Sequence, residues 1–219
     1  MLIIENDKNH YKTHGWALIK NIIPLKVISE IREKGIYLRN WVDERLGQPS
    51  KYGSPTYWRG LGCAGMYDEY LMKFYKSDLM FQVASELLDT EEIWLFNDQI
   101  VIKLPKDNFG FEPHYDNQFG GENKSKLIHT VNIGVVLDDY DDQNGTLEMF
   151  NELDQKWIKI YPKKGDLVAI NGNTLHKSSP NMSDNARGLY ACVYSEKQIN
   201  LDNYYKEKFK ETVPIDNLI

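Results

Sequence analysis

A series of short apolar segments occupies the second half of the chain and limits the folds it can adopt. From about residue 92, segments rich in Ile, Val, Leu, Tyr and Trp alternate with turns rich in Asp, Asn, Gly and Pro. The segments are EIWLFNDQIVIKLP, KLIHTVNIGVVLDD, TLEMFN, WIKIYP, DLVAING and RGLYACVYS. Such residues favour strands, and six or more short strands at near-regular intervals indicate a β-sandwich or barrel.

The first ninety residues have a mainly helical pattern. WALIKNII is typical of a strand that ends before Pro24, and an amphipathic helix is predicted from Pro24 to Leu46, with Gly35 as a weak point. SDLMFQVASELLD predicts a further helix, capped by Ser77 or Asp78. The sequence thus predicts a mainly β fold with N-terminal helices.

The length of 219 residues fits one domain with one sizeable core. We expect a single domain over 1–219, with a helix-rich N-terminal layer at about 1–91. The β core follows at about 92–196, and 197–219 forms a C-terminal tail.

A long loop is predicted between the two helices, because GQPSKYGSPTYWRGLGCAGM contains five glycines and two prolines. Two interpretations remain open: an Ω-loop packed by its own aromatic residues, or a lid over a substrate, since long ordered loops often carry function. In the second case Tyr57, Trp58 and Arg59 are candidates for substrate contact.

Composition and charge exclude several classes of protein. A net charge of −6 and a pI of about 5.4 argue against general binding to nucleic acid or anionic membranes, which requires a basic surface. No apolar run approaches the roughly 18 residues of a membrane span. Two isolated cysteines give no disulfide framework. We expect a soluble cytoplasmic protein, a monomer or weak homodimer, with a small-molecule substrate.

The segment EPHYDNQFGG contains the first candidate metal ligands. If HYD is extended, His114 and Asp116 share one face and Tyr115 points away. His176 follows a predicted strand 60 residues after Asp116, and Arg187 lies eleven residues further on. The intervening HKSSPNMSDNA is typical of a long hairpin, which would place Arg187 beside His176 on the neighbouring strand.

Two histidines and a carboxylate on one face of a metal describe the facial triad of non-haem Fe(II) oxygenases. A nearby arginine suggests a co-substrate with a distal carboxylate, namely 2-oxoglutarate. His129 is a rival ligand, but it is more typical of a pocket residue in contact with substrate or of a satisfied core histidine. The acidic run DDYDDQNG is most simply a solvated turn, because a calcium loop needs a different spacing.

The order of these motifs resembles the phytanoyl-CoA dioxygenase family of Fe(II)/2-oxoglutarate oxygenases. The similar segments are PHYDN, VVLDDYDDQNGTLEMF, GDLVAINGNTLHKSSPNMSDNARGLYACVYS and the N-terminal YKTHGWALIKNIIPLKVISEIR. The resemblance implies a double-stranded β-helix, or jelly roll, with cofactors Fe(II), 2-oxoglutarate and O2. It implies that His114, Asp116 and His176 bind iron and that Arg187 binds the distal carboxylate of 2-oxoglutarate.

The resemblance also implies further polar contacts to the co-substrate from the strands before and after HxD. The candidates are Gln99 and Lys103 on one strand face, and Thr130 or Asn132 on the other strand. One segment departs from the family pattern: NELDQKW follows EMF where many members have Pro-Gly-Ser-His. This departure concerns the shape of a loop and not the metal site.

The predicted activity is hydroxylation of an unactivated C–H bond of an amino acid or natural-product intermediate, with release of succinate and CO2. Related halogenases have a small residue in place of the carboxylate, so Asp116 argues against halogenation. Desaturation, epimerisation and cyclisation use the same iron centre and remain alternatives. Two other classes remain open: a non-catalytic jelly-roll binding protein, and a cupin-like metal enzyme without 2-oxoglutarate, in which Arg187 has no evident role.

Overall fold

The computed structural model describes residues 3–46, 60–62, 64–118 and 129–199. The helices are α1 (Glu5–His14), α2 (Leu25–Leu46), α3 (Glu69–Tyr75) and α4 (Asp78–Leu88). The strands are β1 (Trp16–Ile19), β2 (Gly60–Gly62), β3 (Trp94–Lys103), β4 (Phe111–His114), β5 (Thr130–Val136), β6 (Leu147–Asn151), β7 (Lys156–Ile160), β8 (Leu167–Asn171), β9 (His176–Ser178) and β10 (Arg187–Ser195).

The strands form two antiparallel sheets. The larger sheet has six strands in the order β1-β8-β5-β10-β3-β2, and the smaller has four in the order β4-β9-β6-β7. Neighbours within each sheet are mostly distant in sequence, as in the double-stranded β-helix. The predicted fold, mainly β with N-terminal helices, is confirmed.

Alternation along the strands gives the larger sheet two buried faces. Val131, Ile133 and Val135 of β5 join an apolar cluster shared with the helices. Val136 of the same strand instead joins a second cluster, which includes Met149 of the smaller sheet. The second cluster therefore marks the space between the two sheets.

The two helices that the sequence predicts are present as α2 and α4, whereas α1 and α3 were not predicted. Ser77 caps α4, because its hydroxyl accepts a hydrogen bond from the backbone N–H of Met80 at 3.4 Å. The helix α2 begins directly after Pro24 and continues through Gly35 without a break. A Cβ at Gly35 would lie 3.1 Å from a methyl carbon of Ile100, so this glycine allows the helix to approach β3 closely.

Part of the predicted loop lies outside the described residues, namely 47–59 and 63. Its end is described: β2 pairs with β3, and one 3-10 turn covers Ala64–Met66. Among the helices of the described ranges, none has an apolar stretch long enough to cross a bilayer.

Candidate metal centre and anion pocket

The two candidate metal-binding histidines are cross-strand neighbours in the smaller sheet. His114 is the last residue of β4 and His176 is the first residue of β9, and the two are direct partners in the antiparallel register. Their ring centroids lie 4.2 Å apart. Sheet pairing alone therefore brings these distant positions together, on the edge strand β4 and its neighbour β9.

Asp116 reaches the same point by a route that the sequence did not predict. The expectation that HYD is extended is wrong, because β4 ends at His114 and 116–118 form a short 3-10 turn. The backbone N–H of Asn117 donates to the carbonyl of Gly172 at 3.0 Å, which pulls the chain out of the strand. In this turn, Asp116 Oδ1 still lies 3.9 Å from His114 Nε2 and 3.7 Å from His176 Nε2.

The imidazole orientations suit metal binding. His114 Nδ1 lies 2.6 Å from the carbonyl oxygen of Glu112, and His176 Nδ1 lies 2.9 Å from that of Thr174. A carbonyl can only accept, so each Nδ1 carries the proton and each Nε2 offers a lone pair. Burial, followed by the nearby His176, lowers the pKa of His114, which favours the neutral form that binds metal.

The three side chains together fit a divalent metal ion. Their ligand atoms all lie within 4.8 Å of one another, and no other such group occurs in the described ranges. Two imidazoles and one carboxylate leave open positions on a six-coordinate metal, which is the donor set of the facial triad. The predicted ligands His114, Asp116 and His176 thus form one site.

A buried cationic pocket lies next to this centre. The ammonium group of Lys103, which is 0% exposed, donates to Ser178 Oγ at 2.8 Å and to the carbonyl of Ser179. Ser178 is two residues beyond the ligand His176. Burial, followed by the charge of Arg187, lowers the pKa of Lys103 to about 6.

Arg187 forms the second half of the pocket and is 2% exposed. Its guanidinium carbon lies 4.2 Å from the centroid of the Tyr140 ring, and Nη2 donates to the carbonyl of Gly145. Neither Lys103 nor Arg187 has an ion-pair partner among the described residues. Arg187 Nε and the Tyr140 hydroxyl are buried and have no hydrogen-bond partner in that part of the chain.

Two buried basic groups without an ion-pair partner among the described residues are unfavourable in their charged forms, because burial removes their hydration. A bound carboxylate would neutralise the pocket, and it would accept hydrogen bonds from Lys103, Arg187 and Tyr140. The residues present therefore fit a carboxylate-bearing ligand beside the metal, as 2-oxoglutarate requires.

The predicted hairpin between His176 and Arg187 is wrong. β9 pairs with β4 and β6, whereas β10 pairs with β3 and β5 of the other sheet. Both edges of β9 are thus occupied, and the chain must cross between sheets. Arg187 approaches the site from the larger sheet, opposite the histidines.

The remaining predicted co-substrate contacts differ in position. Asn132 donates from Nδ2 to Asp116 Oδ2 at 3.0 Å, so its amide contacts the metal-binding carboxylate. Gln99 is half-buried on β3, on the same strand face as Lys103 by alternation. Thr130 is buried at the start of β5.

Of the four predicted substrate contacts, only His129 lies within the described residues. His129 is half-exposed, and its Nδ1 lies 3.1 Å from the carboxylate of Glu196, so it is not part of the metal-binding group. The other three, Tyr57, Trp58 and Arg59, lie outside the described residues.

Sequence reasoning missed two site residues, Tyr140 and Ser178. The run DDYDDQNG was predicted to be a solvated turn, but Tyr140 within it is 1% exposed. Asp138 at its start binds Arg32 Nε and the backbone N–H of Gly188, both at 2.8 Å. A single aromatic residue within an acidic run was the available signal. Ser178 carried none, because it lies in a serine-rich stretch.

Comparison with solved structures supports the fold. The epimerase SnoN from nogalamycin biosynthesis is 14% identical, with a TM-score of 0.70 over 87% of this chain and 82% of that chain. AviO1 from Streptomyces viridochromogenes Tue57 is 15% identical, with a TM-score of 0.70 over 89% and 96% of the two chains. EvdO2 from Micromonospora carbonacea var. aurantiaca, solved with 2-oxoglutarate, is 15% identical, with a TM-score of 0.66 over 88% and 90%.

No curated protein sequence matches this chain significantly. The profile of the phytanoyl-CoA dioxygenase (PhyH) family matches residues 64–189, which is more than half of the 219 residues. That range contains the three residues of the metal centre and both cations of the pocket. The chain therefore belongs to the phytanoyl-CoA dioxygenase family, as the order of its sequence motifs predicted.

Proposed function

We propose that this protein is an Fe(II)/2-oxoglutarate-dependent oxygenase that oxidises an unactivated C–H bond of a small molecule. One observation carries the proposal: a His-Asp-His group lies beside a buried Lys-Arg pocket that has no ion-pair partner among the described residues. Neither feature alone is specific, since metal sites and buried cations occur separately in many folds. Their adjacency matches a ligand that has a metal-binding end and a distal carboxylate.

His114 Nε2, His176 Nε2 and Asp116 Oδ1 would hold the iron. The bound iron, with 2-oxoglutarate and O2, would supply the oxidising power and release succinate and CO2. Lys103 and Arg187 would hold the distal carboxylate of 2-oxoglutarate. This grip would orient the keto acid toward the metal, because Lys103 and Arg187 are both buried in the interior of the fold.

The protein residues also control protons and water. The two backbone carbonyls of Glu112 and Thr174 keep the imidazole protons on Nδ1, so each neutral imidazole presents the lone pair of Nε2 to the metal site. Lys103 is largely neutral above its lowered pKa and gains a proton when a carboxylate binds. The fully buried Tyr140 and Arg187 exclude bulk water from that end of the pocket.

Hydroxylation of an amino acid or a natural-product intermediate is the simplest outcome, because Asp116 leaves no metal position for a halide. Epimerisation and ring formation are the alternatives, because two structurally similar proteins are an epimerase and a carbocyclase. One neighbour is the epimerase SnoN, and another is described as a carbocyclase from nogalamycin biosynthesis. A non-catalytic binding protein would retain the fold but form no succinate.

Succinate formation tests the proposal. Purified protein with Fe(II), 2-oxoglutarate and O2 should release succinate slowly alone and faster with its substrate, screened from amino acids and natural-product intermediates. Product mass then narrows the reaction: hydroxylation adds one oxygen, ring formation or desaturation removes two hydrogens, and epimerisation leaves the mass unchanged. Absence of succinate under all conditions, from folded protein that binds Fe(II), would favour the non-catalytic alternative.

A further inference from the structure

Asn132 contacts the carboxylate of the metal-binding residue Asp116. Its side-chain Nδ2 donates a hydrogen bond of 3.0 Å to Asp116 Oδ2. We propose that Asn132 is a positioning residue that fixes Asp116 as a one-oxygen ligand of the metal. The proposal rests on the metal-binding part of the proposed function and not on the identity of the reaction.

The two oxygens of Asp116 have different surroundings. Oδ1 faces both histidines, at 3.9 Å from His114 Nε2 and 3.7 Å from His176 Nε2. Oδ2 accepts the amide hydrogen of Asn132. The hydrogen bond therefore selects Oδ1 for the metal and holds Oδ2 away from it.

Asp116 needs such a support because its backbone is not part of a sheet. β4 ends at His114, and Asp116 begins a short turn that is tied down through the backbone contact of Asn117 with Gly172. Asn132, in contrast, lies inside β5, paired with Ile170 of β8 on one side and Val193 of β10 on the other. The amide thus links the carboxylate to one of the best-supported strands of the larger sheet.

The arrangement also joins the two sheets at the metal. Both histidine ligands belong to the smaller sheet, and the carboxylate is held by a residue of the larger one. Hydrogen-bonded outer residues of this kind orient metal ligands, and their loss typically weakens metal binding by about 10- to 100-fold. Without the amide, Asp116 is free to rotate and to bind through both oxygens, which would occupy a position that the co-substrate needs.

This role differs from the predicted one, in which Asn132 contacts 2-oxoglutarate. An amide that contacts only the co-substrate would affect its affinity and leave metal binding unchanged. An amide that positions Asp116 affects the metal first, even when no co-substrate is present. The two roles therefore separate in a titration with metal alone.

The experiment is a Co(II) titration of the intact protein without 2-oxoglutarate, followed by visible absorption. Asn132→Leu keeps a similar volume and removes the donor, and Asn132→Asp keeps the shape and replaces the donor with an acceptor. We expect both to raise the Kd for Co(II) by about 10- to 100-fold and to change the Co(II) spectrum. The control Val193→Ala removes packing from the paired strand and should keep the wild-type Kd and spectrum.

The possible results distinguish a failure of the Asn132 role from a failure of the proposed function. A wild-type Kd and spectrum in Asn132→Leu, or in Asn132→Asp if the leucine variant does not fold, would overturn the positioning role alone. If the variants weaken Co(II) binding as expected but the wild type forms no succinate, the reaction is wrong and the role of Asn132 stands. If the folded wild type binds no Co(II), both the metal site and this role are wrong.

Discussion

Lys103 offers the most informative perturbation of the pocket. Its ammonium group is fully buried, and among the described residues it donates only to Ser178 and Ser179. Lys103→Met keeps the apolar length and removes the charge. A hydrogen bond between charged groups contributes about 1.5–3 kcal/mol, so we expect the Kd for 2-oxoglutarate to rise about 10- to 150-fold.

The pH dependence follows from the lowered pKa of Lys103, which is about 6 in the absence of a carboxylate. Below pH 6 the lysine is already charged, and 2-oxoglutarate binds without proton uptake. Above pH 6 the lysine must take up a proton on binding. The affinity of the wild type should therefore fall as pH rises, by up to about 16-fold between pH 6 and pH 7.5, because the protonated fraction of Lys103 falls from about one half to about 3%.

Isothermal titration calorimetry with saturating Co(II) tests this directly, because the metal keeps both histidines deprotonated across the range. Buffers of different ionisation enthalpy should reveal uptake of nearly one proton per 2-oxoglutarate at pH 7.5 in the wild type. Lys103→Met should take up none, whereas the exposed control Lys106→Met should behave as wild type. Equal pH slopes in wild type and Lys103→Met would refute the reasoning.

Three further predictions concern other parts of the site. Asp116→Ala should abolish substrate-stimulated succinate release, whereas Tyr115→Phe should reduce it less than tenfold; comparable losses would contradict the assigned roles. Tyr140→Phe removes a buried hydroxyl without a partner in the described structure, so the melting temperature should hold while the Kd for 2-oxoglutarate rises about 3- to 10-fold. Gly15→Ala should lower the melting temperature, because Gly15 has φ 75° and an added Cβ would clash with the side chain of Thr174, which precedes β9. An unchanged melting temperature would contradict this.

Much of the fold was predictable because the residue composition of each short segment indicates a strand by itself. The apolar segments and turns of the second half correspond to β3, β5, β6, β7, β8 and β10. The cap of α4 was predictable for the same reason, because Ser77 contacts the backbone of Met80, only three residues away. The metal ligands His114, Asp116 and His176 were predictable for a different reason, as was the pocket residue Arg187: their order and spacing resemble a family pattern.

Strand partners were not predictable, because pairing depends on contacts between distant segments. Nothing in HKSSPNMSDNAR indicates that β9 joins one sheet and β10 the other. The burial of Tyr140 depends on Arg187, which lies 47 residues further along the chain. The turn at Asp116 likewise depends on Gly172, so local sequence alone favoured an extended strand.

The central claim is that one site holds both a metal and 2-oxoglutarate, and anaerobic visible absorption tests it most directly. Addition of Fe(II) and 2-oxoglutarate to the folded wild type without oxygen should produce a weak visible charge-transfer band, which requires the keto acid to bind the metal. Arg187→Ala should need much more 2-oxoglutarate to reach the same band. A folded wild type that gives no band at saturating concentrations would contradict the account.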